Sequence, residues 1–143
     1  MNVPLWVLDT NVLISGLLSP QGPPGRLIDA IFSGHLRLAL DDRIEEEYLE
    51  VLSRPKFGIT AAERTAILAE IRLHEYPATS LFPLSAKLPD PDDRMFLEVA
   101  ASTAEKVLVT GNARHFPARA LGPVTVLSPR AAWERLVRRS REC

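Results

Sequence analysis

Three carboxylates stand out by position: Asp9, Glu47 and Asp93. Asp9 directly follows residues 3–8, a nearly continuous apolar run that predicts a strand buried on both faces. On the helix predicted from Asp42 onward, a 100° step per residue puts Glu47 about 40° from Val51 and about 60° from Ile44, at the border of the apolar stripe. On the helix predicted over residues 92–104, the same step puts Asp93 on the face of Phe96, Leu97, Ala100 and Ala104. A carboxylate held partly out of water is costly to keep charged unless it is paired or binds a cation. Three such groups with few basic neighbours (Arg43, Arg94 and Arg114) point to a divalent metal, and an all-oxygen donor set suits Mg²⁺ or Mn²⁺. Asp9 has a second reading, as the N-cap of the helix that follows it. Glu45, Glu46 and Glu50 are explained by solvent exposure.

Other chemistries lack their residues. His35, His74 and His115 are widely separated, and no H-x-x-x-H or C-x-x-C spacing supplies zinc ligands. The single cysteine, Cys143, excludes an internal disulfide and a thiolate cluster. Neither a serine or threonine with a paired base nor a glycine-rich phosphate loop is present, which removes serine hydrolases and nucleoside triphosphatases. Thr110-Gly111-Asn112 follows the apolar run 107–109 as Asp9 follows its own, so both face one crevice. Asn11, Thr110 and Asn112 are candidates to support the site. Arg114 and His115, just beyond, are candidates for phosphate contact or for loop packing.

The elements that must position these groups alternate. Strands are predicted over residues 3–8, 36–40, 107–109 and 124–127, with a further short strand around 76–79 in a proline-containing connection. Helices are predicted over residues 11–18 and 26–32, separated by Pro23, Pro24 and Gly25. A third is capped by Asp41 or Asp42, carries Ile44, Tyr48, Val51 and Leu52 on one stripe, and ends at Pro55 and Gly58. Thr60 and Glu63 form a capping box for a fourth, with Ile67, Leu68 and Ile71 as its apolar stripe. Residues 92–104 form a fifth, and Ser128-Pro129 opens a sixth that runs through 137. This order predicts an α/β three-layer sandwich with a mostly parallel central sheet flanked by helices, as one domain over residues 1–143.

The composition, 46% apolar and 24% charged with net charge −1, is that of a globular protein rather than a disordered or fibrous one. Apolar runs fall short of the roughly 20 residues that cross a bilayer, and the first residues lack the pattern of a secretion signal. The cytoplasm is the expected compartment. Charge is uneven: between residues 114 and 141 seven arginines face Glu134 as the sole acid. That stretch reads as a phosphate-holding surface or as a solvated helix end favoured by its own dipole.

Four segments in order resemble one known family, the PIN-domain ribonucleases, and within it the VapC-like toxin branch of toxin–antitoxin pairs. They are Leu8-Asp9-Thr10-Asn11-Val12-Leu13; Glu46-Glu47-Tyr48 with Leu52-Ser53-Arg54-Pro55-Lys56-Phe57; Asp90-Pro91-Asp92-Asp93-Arg94-Met95-Phe96-Leu97; and Val109-Thr110-Gly111-Asn112 with His115-Phe116. The resemblance implies a PIN-like parallel sheet and an acidic pocket that binds Mg²⁺ or Mn²⁺ and hydrolyses RNA phosphodiesters. Asp9, Glu47 and Asp93 match the family's first, second and third acidic positions. Asp90 looks similar to a further acid of this branch, supporting the site or capping the next helix. The resemblance also implies RNA as substrate, a cognate antitoxin protein and a homodimer. Asn112 departs from the pattern, since many relatives carry aspartate there, and the missing charge weakens the case for a second metal. A PIN-like module that binds RNA or protein without catalysis is the alternative. A phosphotransfer receiver fits less well, because the adjacent acidic pair and the late lysine of that class are missing.

Overall fold

The computed structural model describes residues 3–77 and 87–142. Five strands form one parallel sheet in the order β3-β2-β1-β4-β5: β1 Leu5–Leu8, β2 Arg37–Leu40, β3 Glu75–Pro77, β4 Val107–Val109 and β5 Thr125–Leu127. Successive side chains of a strand point to opposite faces, and Trp6, Val7 and Leu8 are all fully buried, so helices cover both faces of β1. The chain lays down β1, β2 and β3 in one direction and then returns to place β4 on the other side of β1. The switch point of the sheet therefore lies between the carboxyl ends of β1 and β4.

Among the described residues six α-helices surround the sheet: α1 Thr10–Leu18, α2 Pro23–Phe32, α3 Asp42–Leu52, α4 Ala61–His74, α5 Arg94–Ala101 and α6 Pro129–Glu142. Helix α5 packs on β1, β2 and β4, whereas α2 lies between α1 and α6. The approach of α1 to α2 is close because Gly16 stands at their contact, and Gly25 lets the connection between them lie against the start of α2. A Cβ on Gly16 would stand 2.4 Å from Ile28 Cγ1 and 2.6 Å from the Pro24 carbonyl oxygen, and one on Gly25 would stand 2.1 Å from the Pro20 carbonyl oxygen.

Several expected boundaries move for local reasons. Helix α2 begins at Pro23 instead of residue 26, since proline at the first helical position lacks an amide that would be unpaired there anyway. The helix expected over 92–104 divides: Pro91–Asp93 is a 3₁₀ turn capped by the Asp90 carboxylate, which accepts from the Asp92 amide at 3.0 Å, and α5 follows from Arg94. It ends at Ala101, where the Thr103 hydroxyl donates to the Ala100 carbonyl at 2.8 Å and turns the chain toward β4. Strand β5 is an edge strand with Thr125 exposed, not the buried strand its valines and leucine suggest. Helix α6 runs on to Glu142, beyond residue 137. The strand expected at 76–79 corresponds to β3, which starts one residue earlier and covers 75–77, and residues 78–79 lie outside the described residues. The side chain of His74 and all of Cys143 also lie outside them.

Candidate active site

Asp9 leaves β1 in register with Thr110 leaving β4. The Asp9 amide donates to the Val109 carbonyl at 2.9 Å and the Thr110 amide donates to the Leu127 carbonyl at 3.0 Å, so the sheet's ladder fixes both residues. Asp9 occupies the N-cap position of α1, yet its side chain makes no capping hydrogen bond. Instead Asp9 Oδ2 accepts from the Thr110 hydroxyl at 2.7 Å, with both residues buried. Burial raises the Asp9 pKa above the ordinary aspartate value, against the opposing pull of the Thr110 hydroxyl, the nearby amides of Thr10 and Asn11, and His115.

Glu47 reaches the same place from α3. Asp41 starts that helix by accepting from the Ile44 amide at 3.1 Å. Tyr48, fully buried, donates from its hydroxyl to the Leu8 carbonyl at 2.5 Å, which ties α3 to the end of β1 one residue before Asp9. Glu47, half-buried beside it, accepts a hydrogen bond from the Thr10 hydroxyl. Desolvation, then the charges of Asp9, Asp92 and Glu50, raise its pKa, with the Thr10 hydroxyl opposing.

Asp93, the last residue of the 3₁₀ turn before α5, has a largely covered side chain. Its Oδ2 lies 3.1 Å from His115 Nδ1, an ion pair when the imidazole is protonated. Burial first, then the charges of Asp9 and Asp90, push the Asp93 pKa up to about 6 although His115 pulls the other way. Asp9 therefore acts electrostatically on both Glu47 and Asp93, the sign of three acids sharing one poorly solvated region.

The other candidate residues divide. Thr110 is the pivot, since its hydroxyl also accepts from the Asn112 amide at 3.0 Å and so fixes the loop after β4. Asn112 is half-buried at the start of the 3₁₀ turn Ala113–His115, and its side chain does not cap that turn. Asn11 is exposed on α1 and contributes its backbone amide near Asp9. Asp90 caps its own turn and adds negative potential at Asp93. Arg114 is exposed next to His115. Arg43 is turned away, paired with Asp41 at 2.8 Å and Glu98 at 2.7 Å. Sequence reasoning did not assign the hydroxyl of Thr10 or the role of Tyr48; their adjacency to Asp9 and Glu47 was the available signal.

Among the described residues, no three His, Cys, Asp or Glu side chains stand close enough together to form a ready-made metal shell. The donor chemistry nonetheless fits a hard divalent cation: the side chains that β1, α3 and the turn before α5 bring to this end of the sheet offer carboxylate oxygens, and burial raises the pKa of all three.

The profile of the PIN domain matches residues 6–114, a span that contains Asp9, Glu47, Asp93 and Asn112. The chain belongs to the PIN domain family. Proteins of this family are generally nucleases, and the parallel sheet flanked by helices is the fold expected of them. The chain is also similar to an uncharacterised protein of Methanocaldococcus jannaschii, 28% identical over 108 residues that cover 74% of this PIN domain chain and 69% of the relative. No solved structure matches it. Among the described residues, no helix is long and apolar enough to cross a membrane.

Proposed function

We propose that this PIN domain, over residues 1–143, is a metal-dependent endoribonuclease. The observation that carries the reading is the trio Asp9, Glu47 and Asp93 at the switch point of the sheet, each with a pKa raised by burial, and Glu47 and Asp93 also by the charge of Asp9. Carboxylates arranged this way are poor as a salt-bridge network and good as a cation site.

Asp9 and Asp93 would hold Mg²⁺ or Mn²⁺, with Glu47 completing the site directly or through water, as suits an ion that is usually bound by one or two carboxylates and keeps several waters. Such an ion, when bound, would supply a more acidic water and charge stabilisation at phosphorus for hydrolysis of the phosphodiester. Thr110 fixes the Asp9 carboxylate, Thr10 fixes Glu47, and His115 fixes Asp93. Glu47, held by one hydroxyl and carrying a raised pKa, is suited to accept the proton of the attacking water. Arg114, exposed at the rim, is the candidate phosphate contact. His115 is committed to Asp93, so its service to RNA is positional.

Cleavage of single-stranded RNA by the purified chain, dependent on Mn²⁺ or Mg²⁺ and stopped by EDTA, is the expected result; metal-independent cleavage, or cleavage of DNA alone, would overturn it. Asn112, uncharged where an acid is common in this family, favours a second reading, a PIN domain that binds RNA or protein without hydrolysis. RNA retention with no cleavage at any metal concentration would support that reading.

The toxin role, the cognate antitoxin, the homodimer and a cytoplasmic location rest on the resemblance to the toxin branch. If the chain is such a toxin, its expression should arrest growth, and the Asp9→Asn variant should not; growth unaffected by active enzyme would remove the toxin role while leaving the nuclease.

A further inference from the structure

A cavity of about 740 Å³ opens between α2 and α6, at the amino ends of β1 and β2. It is separated from the acidic site by the length of β1, about 16 Å from Pro4 to Asp9 at about 3.3 Å per residue. Its volume is in the range of small-molecule sites, roughly 300–1,000 Å³. Pro4, Ala30, Leu136 and Val137 give it an apolar floor. Trp133 lies half-buried on its wall, and the Arg26 guanidinium stands 5.8 Å from the centre of that ring. The lining carries Arg26, Arg139 and Arg141 against Asp29 as the acid among the lining residues. Arg139 is steadied by Glu105 at 2.6 Å, and Glu105 also accepts from the Trp6 indole at 3.1 Å, so this part of the rim is anchored to β1.

Each feature narrows the ligand. The concave apolar floor takes a flat or branched body out of water. An indole paired with a guanidinium is a surface on which nucleobases stack, with about 1–3 kcal/mol per base as the usual contribution. Exposed Arg141 presents planar donors suited to a phosphate, beside Arg139, which Glu105 engages. From this combination we propose that the cavity is a second, noncatalytic site for a nucleoside phosphate, with the base against Trp133 and Arg26 and the phosphate at Arg141. A free nucleotide and the end of an RNA strand share that chemistry. The site stands apart from the acidic trio and does not depend on the nuclease reading.

The two tryptophans make the test direct, since Trp6 is fully buried and Trp133 lines the cavity. The full chain in EDTA, with no metal at the acidic site, is titrated with AMP while tryptophan fluorescence is followed. Saturable quenching is expected, lost in Trp133→Phe and weakened roughly tenfold or more in Arg141→Glu, the scale of one charge-assisted hydrogen bond. The control Arg119→Glu, an exposed arginine outside the cavity, should leave the affinity unchanged. A 5′-phosphorylated tetranucleotide that binds more tightly than AMP identifies an RNA end as the occupant; equal affinity identifies a free nucleotide. No saturable quenching, equal weakening by both charge reversals, or quenching that persists in Trp133→Phe overturns the proposal. Binding of an acidic amphipathic peptide without nucleotide binding also overturns it and makes the cavity a protein-docking site.

Discussion

Asp9 is the residue on which the account turns, because its charge raises the pKa of both other acids while its own carboxylate is held by Thr110. Asp9→Asn should abolish metal-dependent cleavage and leave the fold intact, with a metal-free Tm at neutral pH no lower than the parent's because one repulsive charge is gone. Thr110→Val removes the donor without touching the carboxylate, and a loss of roughly 10- to 100-fold in metal affinity or rate is expected from such a supporting group. Asp93 gives a pH dependence. Its pKa is about 6 in the folded chain and about 3.9 when unfolded, so the folded state holds the proton more tightly. The resulting stabilisation is complete below about pH 4 and is lost as pH rises through about 6. The metal-free protein should therefore melt lower at pH 7 than at pH 5, and Asp93→Asn should flatten that trend; an unchanged slope would detach Asp93 from the acidic cluster. Asn112→Asp adds a fourth acid beside Thr110. It should lower the metal-free Tm and enlarge the Tm rise produced by Mn²⁺, whereas equal rises in variant and parent would place Asn112 outside the metal site.

At the scale of elements, the site depends on β1 and β4 ending side by side and on α3 being tied to β1 by Tyr48. The contact between α1 and α2 packs α1, the helix that begins at Thr10, against its neighbour. Gly16→Ala should cost about 1–3 kcal/mol in thermal unfolding, since the added methyl meets a backbone carbonyl that cannot move aside cheaply. No loss of stability would mean that the two helices separate more easily than their packing indicates. The features legible in the sequence were those with local causes. Thr60 and Glu63 exchange hydrogen bonds of 2.9 and 3.1 Å as a capping box requires, Asp41 caps α3, and the unbroken apolar runs became central strands. What the sequence hid depended on distant neighbours. The composition of β5 could not reveal that, among the described residues, it lies at the edge of the sheet, and the helical face assigned to Asp93 could not show that Asp90 would wind this stretch into a 3₁₀ turn. The three acids were legible as candidates, but the hydroxyls that hold Asp9 and Glu47 come from a residue 101 positions away in one case and 37 in the other.

For the molecule as a whole, net charge near zero conceals a division of labour. The carboxyl ends of the strands gather acids, while the opposite end of β1 opens on a cavity rimmed by arginine. The acidic end repels phosphate until a cation neutralises it, so metal binding, RNA affinity and stability should rise together. The direct measurement is the Tm of the parent and of Asp93→Asn during titration with Mn²⁺ at pH 7.5. The account predicts that the parent gains about 2.7 kcal/mol at a metal concentration one hundred times Kd, a rise of about 5 °C or more for a chain of this size, and that Asp93→Asn gains little or nothing. A parent protein whose Tm does not move at millimolar Mn²⁺, or a variant that gains as much as the parent, would contradict the claim that these three carboxylates form a metal site.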